Sequence, residues 1–359
     1  MKKKLLVLML AFAMTLAFAA CGGGGGGSDS GAAEESVAEP NTGVEGIVFV
    51  VPDDWPLENA STSGGITYKV PDSDFQLYAS IFDEESLESI NQWNPERGAG
   101  SVQEYYDKYY TSEEALSKEN LENTAVKVCD TDAQYNKYKA DSGEYLELGT
   151  YWMYEGKIYN IGMFNPDAYG DSGEVVQDAA KLTDDEIAAY EDIIASVQPG
   201  DGASMLKALM KADSIGSIAF EAPEGYTLTD VYSDFISFTK DGSDITLQIN
   251  RSDESSLQYM EKEDGTHPSS LKEWYENFLF EGVEETTIAG YEGHIDKYTA
   301  EDDKYHNVNA EFLTDDAIYS VNMGTDAWDE EGNLKPDATV LSEDDIAVFD
   351  AFVASLKQK

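Results

Sequence analysis

The chain has 359 residues, 71 acidic against 23 basic side chains and a formal net charge of −48. That balance excludes a nucleic-acid binder, because phosphate contacts need clustered Lys and Arg to displace counterions. With 42% hydrophobic and 11% aromatic residues, a chain of this length can bury the cores of about two globular domains, so the acidity reads as a solvated, aggregation-resistant surface or as an attractor of cations and basic partners.

Lys2, Lys3 and Lys4 precede an apolar run, Leu5 to Ala20, whose one polar member is Thr15. A basic start and a short apolar core form the plan of a secretory signal segment. At 16 residues the run falls short of the roughly 20 that a spanning helix needs. The segment Phe18-Ala19-Ala20-Cys21 resembles the lipobox of bacterial lipoproteins, with Phe18 where Leu is usual. The resemblance implies cleavage after Ala20 and a thioether from Cys21 to diacylglycerol, completed by a further acyl chain such as palmitate. Two or more chains anchor stably where one alone is marginal, so the chain is expected on the extracytoplasmic face of the cell membrane, held in the lipid bilayer through Cys21. Loss of the three lysines takes its net charge from −48 to −51.

Gly22 to Gly27 is an unbroken glycine run, and Ser28 to Thr42 continues it without an aromatic residue. Residues 21–45 are therefore expected to be a disordered tether, with an end-to-end distance of about 25 Å for its random-coil part. No Lys or Arg lies between Lys4 and Lys69, so the tether has nothing with which to dock on anionic headgroups.

The remainder reads as two diverged copies of one unit, 46–198 and 216–357, joined by a connector over 199–215 in which Ala203 to Asp213 suits a short helix. Each copy opens with a strand and a proline turn: Phe49-Val50-Val51-Pro52-Asp53-Asp54-Trp55 matches Phe220-Glu221-Ala222-Pro223-Glu224-Gly225-Tyr226. Strand-like runs follow, Ile66 to Val70 and Phe75 to Phe82 against Phe235 to Thr239 and Ile245 to Asn250, the last with the period-2 alternation of a half-buried strand. A helix opens at Ser101 and again at Ser270, each with Glu three residues on as a capping-box partner. Lys137-Tyr138 matches Lys297-Tyr298, and the run Ile158 to Met163 matches Ile318 to Met323. Each copy closes on a helix capped by Thr183 or Ser342, with acids behind the cap that suit the positive end of the helix dipole. The stripes Ile187, Tyr190, Ile194, Val197 and Ile346, Phe349, Val353, Leu356 have the helical period of core faces. This order predicts an α+β fold in two similar domains, each an antiparallel sheet with packed helices.

An apolar strand leading into Pro-Glu-Gly-aromatic, a mid-domain helix opening with Ser and a final helix ending in Ala-Ser-Leu resemble the PsbP-like and DcrB-like domains of bacterial lipoproteins. The second copy carries the pattern better, since the first has Asp54 where Gly is expected. The resemblance implies a PsbP-like layered sandwich in each copy and a role as a binding or assembly module, with no catalytic residues to carry over.

Chemistry-bearing residues support the same expectation. With Cys21 committed to lipid, Cys129 has no partner for an intrachain disulfide, and Ala289 at its counterpart favours a packing role. Ser204-Met205-Leu206-Lys207 has the Ser-x-x-Lys spacing of penicillin-recognising acylases, but Ser-Asp-Asn and Lys-Thr-Gly are absent from the chain. His267, His294 and His306 lack metalloprotease spacing, and no phosphate loop occurs. The acidic loops Asp167 to Glu174 and Asp326 to Asp337 suit weak calcium binding at most, since neither has the acids of a 12-residue calcium loop. Tyr105, Tyr106, Tyr109 and Tyr110, and Tyr151, Trp152, Tyr154 and Tyr159, have the periodicity of core or cross-strand residues, with a sugar platform as the alternative. The expectation is a non-enzymatic envelope lipoprotein without a cofactor, whose partner is a basic envelope protein or a cell-wall component. The alternative is a small-ligand or carbohydrate-binding lipoprotein that serves a transporter.

Overall fold

A computed structural model describes residues 39–359 apart from 119, 141, 170–174, 177, 261, 263–265, 278–283, 298–303, 326, 328–333 and 336–337. The basic start, the apolar run, Cys21 and the glycine tract lie outside the described residues. The chain divides into two compact units, Met1–Leu209 and Met210–Lys359.

In the first unit, β1 (Thr42–Val44) and β2 (Ile47–Phe49) form a hairpin that β10 (Gln198–Pro199) joins from far along the chain. The larger sheet contains β3 (Leu57–Ser61), β4 (Gly65–Lys69), β5 (Gln76–Phe82), β6 (Leu121–Val128), β7 (Thr131–Lys139), β8 (Tyr145–Tyr154) and β9 (Lys157–Phe164). Their spatial order is β3-β4-β5-β9-β8-β7-β6, and neighbours run antiparallel. Between β5 and β6 lie α1 (Glu84–Trp93), α2 (Val102–Tyr106) with a π turn at Asp107–Thr111, and α3 (Glu113–Leu116). After β9 come α4 (Asp184–Ser196) and α5 (Gly202–Leu209).

The second unit repeats the plan. β11 (Ser214–Ile215), β12 (Ile218–Ala219) and β20 (Lys357–Gln358) make the small sheet. β13 (Tyr226–Val231), β14 (Phe235–Lys240), β15 (Thr246–Asp253), β16 (Glu284–Ile288), β17 (Tyr291–Asp296), β18 (Asn307–Leu313) and β19 (Ala317–Gly324) make the large one, in the order β13-β14-β15-β19-β18-β17-β16. α6 (Leu271–Asn277) precedes β16, and α7 (Glu343–Ser355) follows β19. Both units are thus α+β, with antiparallel sheets and few helices.

Local chemistry explains the recurrence. Thr183 and Ser342 close reciprocal capping boxes with Glu186 and Asp345. Ser101 and Ser270 also cap, accepting from the amides of Glu104 and Glu273, but there each glutamate returns its bond one residue earlier, to the amides of Gly100 and Ser269 (2.8 Å each). The Ala-Ser pair near the end of each closing helix ties helix to strand. Ser196 Oγ accepts from the Val50 amide and donates to the Ile193 carbonyl, and Ser355 Oγ does the same with Glu221 and Phe352. The two small hairpins turn on Gly46 (φ +86°) and Gly216 (φ +50°), where a Cβ would come within 2.5 Å of the Tyr159 or Tyr319 hydroxyl.

One face of each large sheet carries the core. In the first unit it presents Leu148, Thr150, Trp152, Ile161 and Met163 to α4, where the Tyr190 hydroxyl donates to the Ile161 carbonyl (2.7 Å) and shares a hydrogen bond with Thr150. In the second unit Phe238, Leu247, Ile249, Phe312, Val321 and Met323 pack with Phe349, Phe352 and Val353 of α7. α2 and α6 serve the opposite faces: Tyr106 donates to the Tyr151 carbonyl (3.2 Å) and Tyr275 to the Glu311 carbonyl (3.3 Å).

Three segments depart from the sequence reading. Thr42–Val44, placed within the 21–45 tether, is a buried strand, because Gly46 reverses the chain and pairs it with β2 while Tyr68 Oη donates to Thr42 Oγ1 (2.7 Å). The 199–215 connector is divided between the units, α5 packing on β1 and β11 pairing with β12. α1 had no counterpart in the reading. Asp83 caps it, accepting from Ser86, and only Leu87 is fully buried, so its apolar stripe is thin.

Candidate functional site

The face of the first unit's sheet turned away from α4 holds the most unusual side-chain group. Strand register builds it row by row. Tyr138 of β7, Glu147 of β8 and Phe164 of β9 stand directly opposite one another. In the next row Gly149 faces Gly162, with Tyr78 of β5 beside Gly162. The bare glycine backbone admits the Tyr78 ring, since a Cβ on Gly162 would lie 2.5 Å from it. Tyr78 then meets Phe164 edge to face at 5.3 Å, and its hydroxyl takes a hydrogen bond from Asn160 Nδ2 (3.0 Å). From the turn after β9, Tyr169 donates to Glu147 Oε2 at 3.0 Å.

The result is a cluster, here called the cup, in which one carboxyl lies among aromatic side chains. Glu147 is 9% exposed, while Tyr78, Tyr138, Phe164 and Tyr169 are half-buried. Burial raises the carboxyl from its ordinary 4.5 to about 8, and the Tyr169 hydrogen bond only partly opposes this. No basic residue among the described residues pairs with Glu147, so its neutral form prevails at pH 7. Desolvation, followed by the nearness of Glu147, pushes Tyr78 up to about 12 and also raises Tyr138 and Tyr169. Oε1 accepts from no described residue.

The second unit keeps the register and changes the chemistry. Gln248, Asn322 and Asn309 occupy the row of Tyr78, Gly162 and Gly149, and Asn307 stands where Glu147 does. The fold therefore does not require the cup.

A cavity of about 500 Å³ lies elsewhere in the first unit, beside the start of α4, lined by Lys69, Ser73, Asp74, Ala180, Lys181 and Glu186 among others. The second unit differs around the matching residues. There Lys240, the counterpart of Val70, pairs with buried Asp345 (2.5 Å), and Thr339, the counterpart of Ala180, bonds Asp244 (2.9 Å). In the first unit Glu186 turns to Ser73 (2.5 Å), and Ala180 has no hydroxyl to bridge.

The sequence-selected residues are scattered. Cys21 lies outside the described residues. Cys129 sits half-buried in the β6–β7 turn at φ +50°, matched by Ala289 at φ +53°. Burial first, then Asp130, pushes its thiol up to about 11. Ser204 is tied by its amide to Asp201 at the start of α5. His294 and His306 are buried, the first between the Tyr275 hydroxyl (3.2 Å) and Glu311 (3.5 Å), the second on the Thr339 carbonyl (2.7 Å); His267 bonds the Met260 carbonyl. The acidic loops 167–174 and 326–337 lie largely outside the described residues, and no group of three His, Cys, Asp or Glu that could hold a metal occurs among the described ones. Tyr105, Tyr106, Tyr151, Trp152 and Tyr159 are buried packing residues, with Tyr110 stacked on Tyr151 at 4.4 Å. Glu147 was missed, although it is the one charged residue in the strand-like run Tyr145 to Tyr154.

No protein-family model matches the chain, and no curated protein does. Among solved structures, a chain of "The crystal structure of Tle4-Tli4 complex" is 12% identical, with a TM-score of 0.25 over 88% of this chain and 96% of that one, too low a score to carry an argument about fold or function.

Proposed function

We propose that the chain is an extracytoplasmic lipoprotein, anchored in the cell membrane through acylated Cys21, whose PsbP-like units form a non-enzymatic binding or assembly module of the envelope. The observation that carries this reading is the half-exposed aromatic cup of the first unit. Tyrosine offers large, rigid, amphipathic contact area at low entropic cost, which is why it is enriched in binding surfaces. Four aromatic rings around one carboxyl, on a face the sister unit fills with amides, favour recognition over packing. Cross-linking on intact cells tests it: wild type should capture a partner that the Tyr78→Ala/Tyr138→Ala variant loses. Equal capture by both would remove the cup from the binding surface. A fatty-acid probe that still labels Cys21→Ser would remove the anchor.

The amide row Gln248, Asn322 and Asn309 favours a second reading, a carbohydrate-binding lipoprotein associated with a transporter, because in-register side-chain amides present paired donors and acceptors to hydroxyls. Soluble oligosaccharides that bind wild type and not Asn309→Ala/Asn322→Ala would select it.

A further inference from the structure

We propose that the cup around Glu147 receives an ammonium group, carried either by a lysine side chain of a partner protein or by a free organic cation. The inference rests on the reading of this face as a binding surface and names the chemistry it would recognise.

A carboxylate buried to this degree needs a counter-charge or a proton. Among the described residues none supplies a counter-charge: Glu147 enters no ion pair there and its one hydrogen-bond partner is the Tyr169 hydroxyl, and the undescribed positions between 39 and 359 contain no Lys, Arg or His. The walls supply the remainder of a cation site. Tyr138 and Phe164 flank Glu147 in register, Tyr78 leans on Phe164, and Tyr169 reaches over the carboxyl. Aromatic faces attract organic cations through their quadrupole, most strongly where water is excluded. A divalent metal is the poorer fit, since calcium takes six to eight oxygens, several from carboxylates, and here one carboxyl faces phenols. The charge of −48 draws cations towards the molecule from a distance.

Binding would be coupled to a proton. The empty cup holds Glu147 as the neutral acid; the arriving ammonium selects the carboxylate, and the carboxyl proton leaves to solvent, so one positive charge enters as another departs. Among the described residues, the titratable groups that face Glu147 are Tyr78, Tyr138, Tyr151 and Tyr169, each held above its ordinary pKa. They stay neutral between about pH 6 and pH 9, which leaves Glu147 to titrate.

Isothermal titration of the full chain in ~0.15 M sodium chloride, which screens diffuse attraction, tests the proposal with two probes: tetramethylammonium and the blocked tripeptide acetyl-Gly-Lys-Gly-amide. At least one should bind, with affinity rising close to tenfold from about pH 6 to pH 7 and nearly one proton released per probe at pH 7, read from buffers of different ionisation enthalpy. Glu147→Gln should lose binding at least tenfold. Tyr169→Phe, which keeps the ring and removes the hydroxyl, should weaken it several-fold while its circular dichroism matches wild type. Binding of tetramethylammonium alone points to a free organic cation, and binding of the tripeptide alone to a partner's lysine. Failure of both probes, unchanged binding by Glu147→Gln, or binding without proton release overturns the proposal. If the probes fail while Tyr78→Ala/Tyr138→Ala still loses its cross-linked partner, the ammonium falls and the binding face stands.

Discussion

Replacing Glu147 by Gln should change the pH dependence of stability in a direction opposite to that of most carboxylates. The folded carboxyl titrates near 8 against an ordinary 4.5, so between those values the native state holds a proton that the unfolded chain has lost. Stability from the neutral carboxyl is therefore full below pH 4.5 and is lost as pH rises to about 8, at about 1.4 kcal/mol per pH unit. Gln preserves the shape and the acceptor for Tyr169 without the titration. Between about pH 5.5 and pH 7.5 the variant should gain about 2–3 kcal/mol on wild type, roughly 1 M in the urea midpoint at a slope near 2 kcal/mol/M. Urea denaturation at three pH values, followed by near-ultraviolet circular dichroism, measures this. Parallel stability curves for the two proteins across that range would refute a buried neutral carboxyl at Glu147.

In the second unit, burial pushes Asp345 up, but the Lys240 and Ser342 hydrogen bonds outweigh it and hold the carboxyl below 3.8. Asp345→Asn should thus cost about 1–3 kcal/mol above pH 5, and the loss should shrink as pH falls below 3.8, where the unfolded chain binds a proton that the folded carboxyl takes up only at lower pH; a loss that stays constant with pH in urea titrations would contradict this. Gly46→Ala and Gly216→Ala should each destabilise their own unit by about 1–3 kcal/mol in calorimetry, from the left-handed backbone together with the tyrosine hydroxyl beside it. Cys129 should alkylate with iodoacetamide at pH 8 far more slowly than a free thiol, because its thiolate fraction is about a thousandth there; a rate equal to free cysteine would show an open, ordinary thiol.

What the sequence by itself determined is whatever depends on residues close along the chain. The capping boxes of Thr183 with Glu186 and Ser342 with Asp345 span three residues, and the stripes through Tyr190 and Phe349 repeat every three or four, so both closing helices were legible. The match of Ile158–Met163 to Ile318–Met323 was legible too, because the two copies keep one register, and their strands occupy corresponding places in sheets of the same order. α1 was not, since it has only three apolar residues, Leu87, Ile90 and Trp93, against as many acids, and of these only Leu87 is buried. The strand at Thr42 was not either, because three residues gain strand character only from the partner that Gly46 folds onto them. The cup was decided by tertiary structure alone. Residues 138, 147, 164 and 169 belong to consecutive hairpin strands and the turn after them, whereas Tyr78 comes from far earlier in the chain and meets them because β5 pairs with β9, an order that reverses the chain's own after β5. Whether a lone glutamate in a strand points to water or to a wall of tyrosines depends on which strands flank it and what covers that face. The strand-like alternation around Glu147 is the same in either case, and so the sequence could not distinguish them.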